Sequence, residues 1–549
     1  MAENDLSDAW SYVPTELRIR YDEECVSIPH AVRQAARRHP DLEALVDGDL
    51  RLTFAGLEQA MLASVRAMMA IGVQSGDRVA VWAPNSARWV LAALGVLGAG
   101  AVLVPINTRF KGEEAAYVLQ KSGAETLIAV TDFLSQDYLG MLAAAAPESA
   151  VLRPGRVVVA SGDVGSGQLG WDEFLAAGAT VPITAAEAAV DAVTSETLSD
   201  IMFTSGTTGH PKGVMLTHGQ SLRAHGWLSK VMDFQAGDRY LIVPPFFHTF
   251  GYKAGWMACI VHGVTDLPMD VFDMHRVLET IEREKVSILL GPPTIFQEIL
   301  DSAERSRYDL SSLRVTMVSA TTVPPVLVRR IREELGPDIA VSCYGLTEAT
   351  SMVTTTFPAV DSIEDVVTSV GRAAWQVELR VVDAEGSEVP RGTPGELLCR
   401  GWNVMQGYWQ EPEKTAEAID PDGWLHTGDV AVMDERGFVR ITDRLKDVVF
   451  VGGFNVYPAE VERVLSEHPD VETVAVVGSP DSRLGEIPVA FVVPRPATGA
   501  TPEAIIDWVG GRLANFKVPR RVVFVESLPR NASMKVLKNE LRAAAQQLR

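Results

Sequence analysis

Apolar runs of helix length and of strand length alternate between residues 28 and 200. Three strand-like runs, at residues 79–82, 126–130 and 156–160, are rich in valine and alanine, and the first is followed by Pro84 and Asn85. Such alternation is typical of an α/β fold, in which helices cover a largely parallel sheet. We therefore predict a large N-terminal domain with mainly parallel sheets and helices.

One uncharged run, at residues 89–106, has the composition of a membrane segment. Gly95, Gly98 and Gly100 interrupt it, and Pro105 ends it short of the roughly 20 apolar residues that a spanning helix needs. The pattern instead predicts a buried helix, a glycine stop and a short parallel strand. No transmembrane segment is expected, and the acidic residues 2–5 do not resemble a secretory signal.

The rest of the pattern predicts a second, smaller domain. A chain of 549 residues is too long for one ordinary core. Strand-like runs at residues 474–477 and 489–493 follow a helix that is expected to start at Pro458, and they suggest a compact βαβ-like unit. An Ala/Thr/Glu-rich connector at residues 176–197 is expected at the surface.

Composition and charge limit the function classes. With 47% hydrophobic and 22% charged residues, the chain is globular rather than disordered. A net charge of −22 argues against nucleic acid as a partner, because a phosphate backbone would be repelled. The four cysteines are scattered without metal-ligand spacing, which favours reduced thiols and a cytoplasmic protein.

The strongest candidate for chemistry is the loop at residues 203–213. Its glycines leave backbone amides open to an anion, its hydroxyls add donors or metal ligands, and its lysine adds a positive charge. The loop is not a Walker loop, because Pro211 precedes Lys212. A flexible surface turn is the alternative, but apolar residues 201–203 and 214–216 flank the loop and predict strand–turn–strand.

This loop resembles the phosphate-binding signature of the adenylate-forming superfamily, which comprises acyl-CoA synthetases, peptide-synthetase adenylation domains and luciferases. Further motifs that resemble this family follow in its order, at residues 344–348, 423–429, 442–447, 452–462 and 528–536. The resemblance spans nearly the whole chain. It implies a domain division at residues 1–443 and 444–549, with a mobile α+β C-terminal domain.

The resemblance implies a site for ATP and Mg²⁺. Glu348 matches the family's metal ligand, with Thr204 as its hydroxyl partner, and such a hard cation prefers oxygen ligands. Asp429 matches the residue that accepts the ribose hydroxyls, and Arg444 matches a second ribose or phosphate contact. The implied ATP-binding residues are Thr204, Ser205, Gly206, Thr207, Thr208, Gly209, Lys212, Ala320, Tyr344, Gly345, Thr347, Asp429 and Arg444.

The acyl and CoA sites are also implied by resemblance. On pattern alone, His248 among aromatics would be a packed core residue; by resemblance it lies near the reacting carboxylate. Phe250, Gly251 and Tyr252 match residues that line the acyl pocket. Lys446 matches the hinge, while Gly452, Gly453 and Phe454 match the segment that faces the pantetheine tunnel.

The last motif carries the implied catalytic lysine. Lys535 matches it, with Lys538 as the less favoured alternative. Relatives usually have glycine before this lysine, whereas this chain has Met534. The departure leaves open how the loop enters the site.

These motifs predict an ATP-dependent carboxylate–CoA ligase that forms an acyl-adenylate and then a thioester with CoA. Residues 245–255 and 291–295 look most like CoA ligases of bacterial steroid breakdown, whose acid is a bicyclic propionate; a medium- or long-chain fatty acid is the alternative. Delivery to a carrier protein and a non-catalytic nucleotide-binding regulator are rival functions. The oligomeric state stays open, with a homodimer as one candidate.

Overall fold

The computed structural model describes residues 10–20, 26–145, 156–204, 211–319, 325–451, 454–481, 483–496, 499–513, 515–531 and 535–548. Some residues singled out above lie outside these ranges, namely Ser205, Gly206, Thr207, Thr208, Gly209, Ala320, Gly452, Gly453 and Met534. The predictions made for them stay predictions.

The described strands are numbered β1 to β27 in chain order. They are Glu43–Asp47, Leu50–Thr53, Arg78–Trp82, Val102–Pro105, Thr126–Val130, Arg156–Ser161, Leu169–Gly170, Leu198–Thr204, Lys212–Thr217, Arg239–Ile242, Thr265–Pro268, Ile288–Gly291, Val315–Val318, Ile339–Val341, Cys343–Tyr344, Thr354–Thr355, Arg372–Ala373, Val377–Val382, Gly395–Gly401, Gly407–Tyr408, Leu425–Met433, Val439–Arg444, Val449–Val451, Phe454–Val456, Val471–Asp481, Gly485–Pro494 and Arg521–Phe524.

The described α-helices are numbered α1 to α18. They are Ile28–Arg38, Phe54–Ala70, Ala87–Gly98, Gly112–Ser122, Tyr138–Ala145, Trp171–Ala177, Ile183–Asp191, His218–Val231, Thr249–Gly251, Ala258–His262, Met274–Glu284, Pro293–Asp301, Pro325–Glu334, Ile363–Thr368, Pro412–Ala418, Pro458–Ser466, Pro502–Gly510 and Lys538–Gln547. A π-helix at Tyr252–Met257 joins α9 to α10. Short 3₁₀ turns include Thr347–Ala349 and Leu445–Asp447.

Besides a three-stranded sheet of β15, β16 and β17 and a four-stranded sheet of β18, β19, β21 and β22, the N-terminal part contains two large sheets. One has the order β20-β9-β8-β4-β3-β5-β6-β7, and the other has the order β14-β13-β12-β10-β11-β1-β2. Their inner strands pair in parallel, while β9, β20 and β2 pair antiparallel at the edges. The predicted α/β class with largely parallel sheets is confirmed. One apolar core runs between these layers.

The uncharged run at residues 89–106 is core, as predicted. Helix α3 is almost entirely buried, and β4 lies at the centre of the first sheet. Gly100 separates them with φ +72°, a left-handed conformation that favours glycine. Among the described residues, no single helix is both long and apolar enough to cross a membrane; only the pair Trp171–Thr180 and Ile183–Asp191, bent by 96°, meets that standard.

The connector at residues 176–197 lies largely at the surface, as predicted, but it also contains buried positions. Part of it forms helix α7, in which Ala186 and Val190 are fully buried. Val190 lies next to α3, where it approaches Gly98. Small alanines allow this close helix packing, and the alanine-rich composition concealed the buried stripe.

The C-terminal part has its own sheet and cores. Strands β24, β23, β26 and β25 follow one another, and β27 pairs in parallel with β26. Two apolar clusters contain only residues from Val449 onwards, and the clusters of the N-terminal part contain none of them. Separate cores support a division near residue 444, which remains a prediction.

The predicted βαβ-like unit is partly wrong. Strands β25 and β26 form an antiparallel hairpin, with Asp481 paired to Gly485 at its end. Only three residues separate the two strands, and a parallel crossover needs a dozen or more. The parallel connection is instead β26–α17–β27, because residues 495–520 are long enough to include a helix.

Candidate active site

Strands β8 and β9 hold the ends of the predicted phosphate loop. Thr204 is the last residue of β8, Lys212 is the first of β9, and the two are register partners. The Thr204 hydroxyl donates to the carbonyl oxygen of Lys212 over 3.5 Å. The two predicted strands are confirmed, and their pairing brings the Thr204 hydroxyl and Lys212 to one end of the strand pair. The turn between them lies outside the described residues.

Glu348 lies near this end of the strand pair and contacts Tyr408, a residue that no sequence motif indicated. The Tyr408 hydroxyl donates to Glu348 Oε1 over 3.0 Å, and the Lys212 ammonium lies 4.6 Å from the centre of the Tyr408 ring. Tyr408 stands in a Gly-Tyr-Trp segment, and an aromatic residue after glycine carried no distinguishing signal. Thr347 and Glu348 begin a short 3₁₀ turn and are half-buried.

The described residues include no group of three or more His, Cys, Asp or Glu side chains that could hold a metal. A divalent cation here would therefore depend on few protein ligands. One carboxylate and one hydroxyl suit Mg²⁺, which keeps several waters and binds mainly through one or two carboxylates and substrate phosphates. Glu348 and Thr204 fit that requirement, and their role as ligands stays a prediction.

A second polar cluster forms around Asp429. The Tyr344 hydroxyl donates to Asp429 Oδ2 over 2.5 Å. Burial, and next the negative charge of Asp429, raise the pKa of Tyr344 well above its ordinary value, so the phenol remains a donor. Asp429 lies within β21 rather than in a turn, and its amide donates to the Thr427 hydroxyl over 3.1 Å.

Arg444 is brought opposite Asp429 by the pairing of β21 with β22. The two residues are register partners, 15 positions apart in sequence. Gly345 is exposed beside Tyr344, which leaves its backbone accessible. The pairing of β21 with β22 therefore brings the two predicted ribose contacts, Asp429 and Arg444, next to each other.

His248 is the N-cap residue of helix α9. Its Nδ1 accepts from the Phe250 amide over 3.3 Å, so a neutral ring carries its proton on Nε2. The His248 side chain is exposed on one side, while the protein packed around the rest of the imidazole desolvates it. This burial lowers the pKa of His248 to about 4, and the positive charge of Lys535 acts in the same direction. At neutral pH the ring is uncharged.

Lys535 lies within electrostatic range of His248, because its positive charge contributes to the lowered pKa of that imidazole. The Lys535 amide donates to Asn531 Oδ1 over 2.9 Å, and the next residue, Val536, pairs with Arg530 in an isolated antiparallel bridge. The Lys535 side chain is exposed. Its role at the reacting carboxylate stays a prediction.

Lys538, the alternative to Lys535, is engaged elsewhere. Its ammonium pairs with Glu462 over 2.8 Å within the small domain. Burial opposes the charged form, but the carboxylates of Glu462 and Asp443 outweigh it and raise the pKa of Lys538. This geometry favours Lys535 as the lysine that reaches the site.

The predicted acyl-pocket segment lies at the start of the π-helix. Phe250 is half-buried, whereas Tyr252 is fully buried and stacks on Trp256 with ring centres 4.9 Å apart. At Gly251 a side chain would collide with the carbonyl oxygens of Pro244 and Pro245. Phe250 is therefore better placed to meet a ligand than Tyr252, which belongs to the core.

The predicted hinge follows β22 directly. Lys446 lies in the 3₁₀ turn Leu445–Asp447, and Phe454 begins β24. On either side, Asp443 accepts from the Ala459 amide over 2.8 Å and Asp447 pairs with Arg542. The turn is thus held to the small domain by two carboxylates.

Two family models match the chain. The model described as AMP-binding enzyme matches residues 32–409, and the model described as AMP-binding enzyme C-terminal domain matches residues 460–535. This chain belongs to the AMP-binding enzyme family. The membership confirms the family resemblance that the motifs indicated.

Two relatives within the AMP-binding enzymes are closely similar over almost their whole length. A Rhodococcus jostii (strain RHA1) protein is 46% identical and covers 95% of this chain and 99% of its own. A Mycobacterium tuberculosis protein is 47% identical and covers 94% of this chain and 98% of its own. Both are named (7a-methyl-1,5-dioxo-octahydro-1H-inden-4-yl)propanoyl:CoA ligases.

A solved AMP-binding enzyme has the same fold. The anthranilate CoA ligase AuaEII, in complex with anthranoyl-AMP, aligns with a TM-score of 0.84 at 28% identity. The alignment covers 94% of this chain and 97% of AuaEII. The large α/β domain with a small C-terminal domain is therefore the fold of an adenylate-forming enzyme.

Proposed function

We propose that this chain is an ATP-dependent CoA ligase for a bicyclic propionate of steroid breakdown. The enzyme class is AMP-forming acyl-CoA synthetase, which proceeds through an acyl-adenylate. The observation that carries the choice of acid is the 46–47% identity, over 94–95% of the chain, to two relatives named for a methyl-dioxo-octahydroindenyl propanoyl group. A medium- or long-chain fatty acid remains the competing substrate.

In the first half-reaction the acid's carboxylate attacks the α-phosphorus of ATP, and pyrophosphate leaves. Because two anions must approach each other, fixed positive charges around them stabilise the transition state most strongly. Glu348 and Thr204 would hold Mg²⁺, which supplies charge neutralisation on the phosphates. Lys212, at the mouth of the phosphate loop, would add to it, while Asp429 and Arg444 would hold the ribose.

Lys535 and His248 would act at the reacting carboxylate. The lysine ammonium supports the charge that develops there, whereas the imidazole stays uncharged at neutral pH because its pKa is about 4. With Nδ1 occupied by the Phe250 amide, the Nε2 proton remains as a hydrogen-bond donor. His248 would therefore orient the carboxylate without competing with Lys535 for its charge.

In the second half-reaction the CoA thiol attacks the acyl carbon and AMP leaves. We propose that the small domain, residues 444–549, turns about Lys446 between the two steps and withdraws Lys535. Gly452, Gly453 and Phe454 would then face the pantetheine. Different residues of the small domain would in this way approach the same adenylate in the two half-reactions.

The test is AMP release that depends on both an acid and CoA. We expect kcat/KM for the bicyclic propionate to exceed the values for octanoate and palmitate. A preference for either straight chain would end the steroid proposal and leave the ligase class intact. Release with a carrier protein but not with CoA would favour the carrier-dependent rival, and no release with any acid would favour the non-catalytic regulator.

The setting of the enzyme completes the proposal. Three described cysteines, Cys259, Cys343 and Cys399, are free thiols, which fits a reducing cytoplasm in which ATP and CoA are available. A homodimer is the oligomeric state that we would test, by light scattering of the purified enzyme. A monomer mass would exclude it.

A further inference from the structure

Tyr408 joins the two halves of the predicted triphosphate site with a single side chain. Its hydroxyl donates to Glu348 Oε1 over 3.0 Å, and its ring carries the Lys212 ammonium 4.6 Å from its centre. A cation over the face of an aromatic ring is attracted by the ring quadrupole. One residue thus contacts both the predicted metal ligand and the phosphate-loop lysine.

The backbone around Tyr408 is fixed to the same two segments. The Met405 amide donates to the Glu348 carbonyl oxygen over 2.9 Å, and the Trp409 amide donates to the Gly213 carbonyl oxygen over 2.7 Å. Between them, strand β20 pairs Tyr408 with Val214 of β9. The Tyr408 side chain is therefore placed by strand pairing rather than by a mobile loop.

The phenol is a permanent donor in this position. Tyr408 is 7% exposed, and a tyrosine phenol, whose ordinary pKa is about 10, is protonated at neutral pH. The protonated phenol donates a hydrogen bond to one oxygen of the Glu348 carboxylate, Oε1, and makes no hydrogen bond with the other, Oε2. Hydrogen bonds to a charged acceptor are the stronger kind, so this contact restricts how the carboxylate can turn.

We propose that Tyr408 is a positioning residue that reserves Glu348 Oε1 for its own hydroxyl and so leaves Oε2 as the oxygen for nucleotide-bound Mg²⁺. Its ring holds Lys212 at the opposite side of the same phosphates. The inference rests on the proposed function for the role of Glu348. It extends that function by a residue that touches neither the nucleotide nor the metal.

The test compares ATP binding with and without Mg²⁺ in Tyr408→Phe, which removes the hydroxyl and keeps the ring. Isothermal titration of the full chain with ATP, in excess Mg²⁺ and again in EDTA, gives two dissociation constants. In Tyr408→Phe we expect the dissociation constant for ATP in Mg²⁺ to rise about 10-fold, as for a lost hydrogen bond to a charged group. The dissociation constant in EDTA should stay nearly unchanged. Tyr408→Leu removes the ring as well and should weaken ATP binding in EDTA too.

Tyr138→Phe is the matched control. It removes a buried phenol that donates to the Thr108 carbonyl oxygen over 2.6 Å, and it should leave both constants unchanged. A Tyr408→Phe variant that loses affinity equally in Mg²⁺ and EDTA, or loses none, overturns the proposal, as does a wild type whose affinity ignores Mg²⁺. Binding is measured without any acid, so a wrong choice of acid leaves this test unaffected.

Discussion

The ammonium of Lys253 lies 2.9 Å from a carboxylate oxygen of Asp200, and neither side chain has any exposed surface. Asp200 lies on β8, four residues before Thr204, and Lys253 follows Tyr252 in the π-helix. Lys253 also donates to the Ser221 hydroxyl over 2.8 Å. A buried ion pair therefore ties the phosphate-loop strand to the predicted acyl segment.

Lys253→Met is expected to destabilise the large domain strongly, because it leaves the Asp200 carboxylate buried without its partner. Breaking such a pair costs about 3–5 kcal/mol, whereas replacing both partners costs much less. The urea midpoint should therefore fall further in Lys253→Met than in the double variant Lys253→Met/Asp200→Asn. Equal midpoints for the single and double variants would show that the two charges are not coupled.

Lys535→Ala is expected to abolish acyl-adenylate formation and to spare thioester formation from supplied acyl-adenylate. The reason is that a lysine carried on the small domain acts only in the arrangement that brings it beside His248. Pyrophosphate release and thioester formation are measured separately. Lys538→Ala is the control, and an equal loss of both half-reactions in Lys535→Ala would contradict the assignment.

Lys446→Pro is expected to have the opposite effect. Proline fixes φ and restricts the residue before it, so a pivot at this position would lose its freedom. Adenylation should persist while thioester formation fails. Lys446→Ala, which keeps the backbone free, should support both steps, and normal overall turnover in Lys446→Pro would place the pivot elsewhere.

Two buried histidines predict a loss of stability on acidification. Burial lowers the pKa of His218 and of His225 to about 3, against about 6.5 in an unfolded chain. Above pH 6.5 neither the folded nor the unfolded state binds these protons, so the two histidines do not make the free energy of unfolding depend on pH. Between pH 6.5 and 3 only the unfolded chain binds them, and the free energy of unfolding falls by roughly 1.4 kcal/mol per histidine per pH unit.

The measurement is urea unfolding of wild type and His225→Asn from pH 7.5 to 5.0. Below pH 6.5 the free energy of unfolding of the variant should fall less steeply with decreasing pH than that of wild type, by the contribution of one histidine. The variant loses the contact of His225 Nε2 with the Thr350 carbonyl oxygen at 3.0 Å, which lowers its stability at every pH, so the pH dependences rather than the absolute stabilities are compared. Parallel pH profiles for the two proteins would show that His225 takes up its proton in the folded state.

Local patterns in the sequence were sufficient for the elements of the large domain. The uncharged run at residues 89–106 became a buried helix and a central strand, and the strands at 126–130 and 156–160 were correctly located. Hydrophobic periodicity reports which face of an element is covered, and this depends on a few neighbouring residues. The ordered motifs added the family, and with it the enzyme class.

Only the tertiary structure decided which distant residues meet. Tyr408 and Glu348 are 60 positions apart, and nothing near either one in sequence indicates the other. The hairpin of β25 and β26 was likewise missed, because the direction of strand pairing depends on the length of the connection. The buried residues of α7 were missed because the burial of a helix face depends on which elements pack against it. Periodicity is a local property, whereas contacts such as Lys253 with Asp200 arise only when separate elements pack.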